Sequence, residues 1–135
     1  MSVKTKTRQS RKFNKTGYVI VKNFIQQDFA MLLGKYLRDQ FERSEYILEF
    51  FPNNYRAALD GMPLGDRQAP GAYAKYCDQF IGSFCDYKIE EISKIIGVNL
   101  VPTYNYARVY KKGNSLKPHT DRPACEISVS ICLDY

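Results

Sequence analysis

The chain predicts an α+β fold, with helices first and strands after. Three observations carry that prediction. Apolar residues recur at helical spacing in two stretches, from about Gln27 to Glu42 and from about Tyr73 to Ile96. Gly97 stands directly after the second stretch, where a helix commonly ends on a left-handed glycine. Beyond it the period falls to two, in PTYNYARVYKK and again in EISVSICL.

The elements can be taken in order. Lys4, Lys6, Arg8, Arg11, Lys12 and Lys15 precede any acidic residue, so residues 1–16 are expected to be a solvated, disordered basic tail. YVIVKNF (18–24) is β-branched and apolar on both faces, as a buried strand would be. Phe29, Leu32, Leu33, Tyr36, Leu37 and Phe41 then make one helical stripe. From Arg43 to Gly71 the signals FPNNY, DGMPLGD and APG predict a long loop, with a short helix near Asn54–Leu59. A loop of that length is either a connector or the lining of a site. The second helical stripe is Cys77, Ile81, Phe84, Cys85, Ile92 and Ile95. In the first strand Tyr104, Tyr106, Arg108 and Tyr110 share a face; in the second, Ile127, Val129, Ile131 and Leu133 are expected to enter a sheet core. Glu126, Ser128, Ser130 and Cys132 would then face a wetter space.

Composition narrows the function. The 135 residues suffice for one domain, expected over 17–135, with 44% hydrophobic and 25% charged residues. The net charge of +6 is the charge of the first 16 residues; the other 14 basic residues equal the 14 acidic ones. A neutral body argues against a broad nucleic-acid-binding face. No apolar run is long enough for a membrane span and no secretory leader is evident, which predicts a cytoplasmic protein without a membrane partner. Cys77, Cys85, Cys125 and Cys132 are then expected to be reduced, and their spacing fits no structural zinc site.

The chemistry-bearing motif is His119-Thr120-Asp121, between the two alternating stretches. Residues two apart in extended backbone point to one side. An imidazole nitrogen and a carboxylate oxygen suit Fe(II), and with a second histidine they would form a facial triad that leaves positions open. The tripeptide alone is a weak signal, more often a surface His–Asp pair than a metal site. Its position, after a tyrosine-faced strand and before a strand with one polar face, is where a jelly-roll pocket would open.

The run RVYKKGNSLKPHTD resembles the prolyl 4-hydroxylase-like branch of the Fe(II)/2-oxoglutarate-dependent oxygenases. In that family a strand tyrosine is followed by a glycine turn and then H-x-D, as Tyr110, Gly113, His119 and Asp121 are ordered here. The wider pattern PTYNYARVYKKG…HTDRPACEIS is similar to compact microbial or phage-type members. The resemblance implies a double-stranded β-helix (jelly roll) with supporting N-terminal helices. It implies His119 and Asp121 as iron ligands and Tyr110 as a hydrogen-bond partner of 2-oxoglutarate, with ascorbate as a further cofactor. The implied reaction is hydroxylation of an unactivated C–H bond, coupled to decarboxylation of 2-oxoglutarate. Arg108 would line the pocket or pair with an acid, and Arg122 and Glu126 would orient Asp121 or its loop.

One departure stands out. The family pattern has a distal histidine and, beyond it, a basic residue that anchors 2-oxoglutarate; this chain has one histidine in all. The expectation is therefore an N-terminal part of the domain, incomplete at the C-terminus, with an incomplete triad, weak iron binding and low activity. Such a chain would leave open sheet edges through which it could self-associate. The substrate, peptidyl or small-molecule, is not specified by these residues. The rival expectation is a non-catalytic, jelly-roll-like binding module in which H-x-D is incidental.

Overall fold

A computed structural model describes residues 7–50 and 61–134. Within them the chain forms three helices and one two-stranded antiparallel sheet, in the order α1 (Arg8–Thr16), α2 (Gln27–Phe50), β1 (Tyr73–Tyr76), α3 (Gln79–Ile96) and β2 (Tyr106–Val109). The expected short helix at 54–59 lies outside the described residues.

The first difference from expectation is α1. The basic segment is helical from Arg8 onward rather than a solvated tail. Thr7 caps it by accepting a hydrogen bond from the Ser10 N–H at 3.0 Å, and Gly17, at φ 75°, closes its far end. Ser10 is fully buried against Gly97, at the C-terminal cap of α3. A packing partner therefore orders a segment whose charge pattern alone suggested a free arm.

Residues 18–24 form no strand. Tyr18 and Ile20 are exposed, at 59% and 73%, and no neighbouring strand meets them among the described residues. A β-branched run needs a ladder partner to become a strand, and this one has none there. Helix α2 follows the expected stripe, burying Leu33 and Leu37, continues the same face to Ser44, and ends at Phe50. The first eight residues of the expected loop are thus helical.

The second helix begins later than its apolar spacing suggests. Residues 73–76 are strand, and Cys77 takes a positive φ of 54° before Asp78 caps α3 by accepting from the Ile81 N–H at 2.9 Å. Asp78 is buried, with Lys75 Nζ at 2.9 Å and the Tyr36 hydroxyl donating to it at 2.6 Å. One carboxylate thereby ties α2, β1 and α3 together. Burial pushes its pKa up, but hydrogen bonds from Tyr36, the Ile81 N–H and Lys75 outweigh burial and hold it below the usual carboxylate value.

Strand β1 pairs with β2 in the register Tyr73↔Val109, Ala74↔Arg108, Lys75↔Ala107 and Tyr76↔Tyr106. On its other side Met62 exchanges two backbone hydrogen bonds with Ala74, of 2.7 and 3.0 Å. The core is centred here. Ala69, Ala72, Tyr73 and Ala74 have no exposed surface, and neither does Leu33 of α2. The expected strand at 126–133 forms no ladder among the described residues, and Val129 is 51% exposed rather than enclosed in a sheet core.

Candidate functional site

A cavity of about 490 Å³ opens between β2 and the segment that follows it. Tyr110, His119 and Asp121 all line it. The three residues that the motif singles out thus face one space. Tyr110 sits just past the end of β2 and is 45% exposed. A turn with Gly113 at φ 92° reverses the chain, with the Asn114 N–H bonded to Lys111 O at 3.0 Å. The return segment is held by one backbone bond, from the Lys117 N–H to Gln68 O at 2.8 Å. That bond brings His119 and Asp121 back over the tyrosine face.

The His119 ring is oriented by Lys117. Its Nδ1 lies 2.9 Å from the Lys117 carbonyl, which can only accept, so Nδ1 carries a proton and Nε2 is the nitrogen that a neutral ring offers as a ligand. Nε2 faces Asp121 Oδ1 at 3.8 Å, too long for a hydrogen bond. The other Asp121 oxygen, Oδ2, accepts from the Ser128 hydroxyl at 2.6 Å. Each group therefore uses one atom for support and presents the other to the cavity. The gap of 3.8 Å is less than twice a typical bond of about 2.1 Å from a divalent metal to nitrogen or oxygen, so one ion can touch both atoms. The donor types of the pair suit a metal ion, and the two atoms would have to close by about 0.8 Å to take the angle of about 90° of a facial triad. A third protein ligand does not join it: among the described residues no three His, Cys, Asp or Glu side chains come together.

The floor of the cavity is an ion pair. Arg108 grips Asp66 through both terminal nitrogens, at 3.1 Å to Oδ1 and 2.8 Å to Oδ2, and also donates to Gln68 Oε1 at 3.0 Å. The Tyr106 hydroxyl and the Gln68 and Ala69 N–H groups donate to the same carboxylate. The Arg108 hydrogen bonds, ahead of those from Tyr106 and Ala69, hold Asp66 far below the usual carboxylate range despite its burial. Burial, with its hydrogen bond to Asp66, pushes the Tyr106 hydroxyl up to about 12. Gly65, at φ 73°, permits the tight loop that aims Asp66 at β2; a Cβ there would collide with the Ala69 carbonyl.

Arg122 makes no hydrogen bond to Asp121 itself, and its contacts tie the loop to the tyrosine face instead. Its guanidinium lies over the rings of Tyr104 and Tyr76, 4.6 and 5.4 Å from their centroids, and donates to the Tyr76 hydroxyl at 3.1 Å. Glu126 is exposed. Ser128, expected only on a wet face, instead supports Asp121. Asp66 and Gln68 were not foreseen as site residues. The available signal was Asp66 within a turn-rich loop, and only the fold shows which arginine it meets.

Comparison with protein-family models, curated proteins and solved structures yields no match. Among the described residues no helix is long and apolar enough to cross a membrane.

Proposed function

We propose that this chain carries two protein ligands of an Fe(II)/2-oxoglutarate-dependent oxygenase site of the prolyl 4-hydroxylase-like type, within a jelly roll that the helices support. The observation that carries the reading is the convergence of Tyr110, His119 and Asp121 on one cavity, with Nε2 and Oδ1 left free to meet an ion. His119 and Asp121 would hold the metal. Iron and 2-oxoglutarate, when bound, would supply the oxidising power for hydroxylating a C–H bond. The chain's own residues bind and orient. Lys117 orients the imidazole, Ser128 supports the carboxylate, and Tyr110, which lines the same cavity, would hydrogen-bond a cosubstrate carboxylate. His119 is the only histidine, so any third protein ligand from this chain is of another type. Two ligands predict weak iron binding and slow turnover.

A single histidine makes the test direct. Substoichiometric Mn(II) should broaden the His119 imidazole resonances selectively, and Asp121→Ala should remove that effect. Aerobic 2-oxoglutarate consumption should then depend on added Fe(II) and be lost in His119→Ala. Metal affinity unchanged in His119→Ala would defeat the assignment. Ser128→Ala should weaken metal binding by about 10-fold, as loss of a supporting hydrogen bond does elsewhere.

A second reading, a non-catalytic binding module, is favoured by the absence of a third ligand among the described residues. It expects no Fe(II)-dependent consumption and unselective Mn(II) broadening.

A further inference from the structure

Two guanidinium groups line the cavity, and they differ in what neutralises them. Arg108 is 10% exposed and held by Asp66. Arg122 is exposed and forms no ion pair with any described residue. The nearest acid in sequence, Asp121, gives one oxygen to Ser128 and turns the other toward His119, and it forms no ion pair with Arg122. Arg122 is nonetheless fixed. It lies over two tyrosine rings and gives one N–H to Tyr76. Tyr76 in turn packs on Tyr104 and Tyr106, with centroids 5.3 and 6.0 Å apart.

A guanidinium laid on rings keeps its N–H donors in its own plane, directed outward at the rim. Preorganisation of that kind lowers the ordering cost of binding an oxyanion, and the planar fork matches a carboxylate or phosphate edge. Arg122 faces the cavity.

We propose that Arg122, fixed on Tyr104 and Tyr76, receives an oxyanion of the substrate at the mouth of the cavity, so that the pocket selects an acidic substrate. The inference deepens the oxygenase reading by naming a substrate class for the same site. Anion recognition itself requires no metal, so it is tested without one.

Metal-free protein is titrated with sodium acetate and, separately, with inorganic phosphate, at ionic strength held constant with sodium chloride. The Arg122 Nε–H and Tyr104 ring resonances report binding. Saturable shifts are expected with at least one of the two anions, and the one that acts more strongly names the group as carboxylate or phosphate. Arg122→Gln should weaken that binding at least 10-fold and leave the urea midpoint unchanged, because the side chain is exposed. Shifts no larger than with chloride, or equal affinity in Arg122→Gln, would overturn the proposal. A final titration adds Mn(II) and 2-oxoglutarate. Acetate or phosphate should still bind; competition would give Arg122 to the cosubstrate and overturn its assignment to the substrate. Mn(II) broadening of His119 in Arg122→Gln reports the metal reading separately, so either idea can fail while the other stands.

Discussion

The molecule pairs and largely buries residues 72–76, although residues 126–133 carry the clearer strand-forming alternation. Ala72, Tyr73 and Ala74 have no exposed surface; Val129 and Ile131 are 51% and 37% exposed. The first stretch has β2 on one side, Met62 on the other and α2 packed over it, where Phe41 meets the Tyr73 ring at 6.0 Å. The second makes no backbone hydrogen bond to any other described segment. Alternation thus states which side chains could share a face. Whether that face is buried depends on a covering layer that local sequence does not encode.

The contrast can be broken most severely at Tyr73. Tyr73→Ala should cost about 4 kcal/mol, measured as a fall in urea midpoint, since it removes a large, fully buried ring. Asp66→Ala should cost about 3 kcal/mol by the same measurement, because it strands the Arg108 guanidinium at 10% exposure. Acid should sharpen the same point. The folded pKa values of Asp66 and Asp78 lie below ordinary carboxylate values, so near pH 4 the unfolded chain binds more protons than the folded one. Stability should be level above about pH 5 and fall as pH drops through about 4 and below. Asp66→Asn should flatten that fall. The smallest effect belongs to the other region: Val129→Ala should change stability by no more than about 0.5 kcal/mol. A loss of 2 kcal/mol or more there, an order typical of core truncations, would mean that Val129 is enclosed in solution.

Much of the helical layer was legible. The stripe from Phe29 to Phe41 is α2, and Gly97 does close α3. Tyr104–Tyr110 contains β2, and the H-x-D pair shares a cavity with Tyr110. The start of α3 was less legible, because apolar spacing runs on through Tyr73–Cys77 while Asp78 acts as the cap. Strand β1 is a product of pairing and was invisible to periodicity. Helix α1 was hidden by its charge, which describes its outer side and says nothing of the serine beneath. Within the site, His119 and Asp121 were readable as a local motif. The Asp66–Arg108 floor joins residues 42 apart in sequence and could not be read that way.

Ser10 resting on Gly97 has a practical corollary. A methyl group at 97 would act as a wedge driven under the amino-terminal arm, both by collision with the serine and by strain at φ 88°. With the arm levered away, Arg8, Arg11, Lys12 and Lys15 would become readier cleavage points for trypsin.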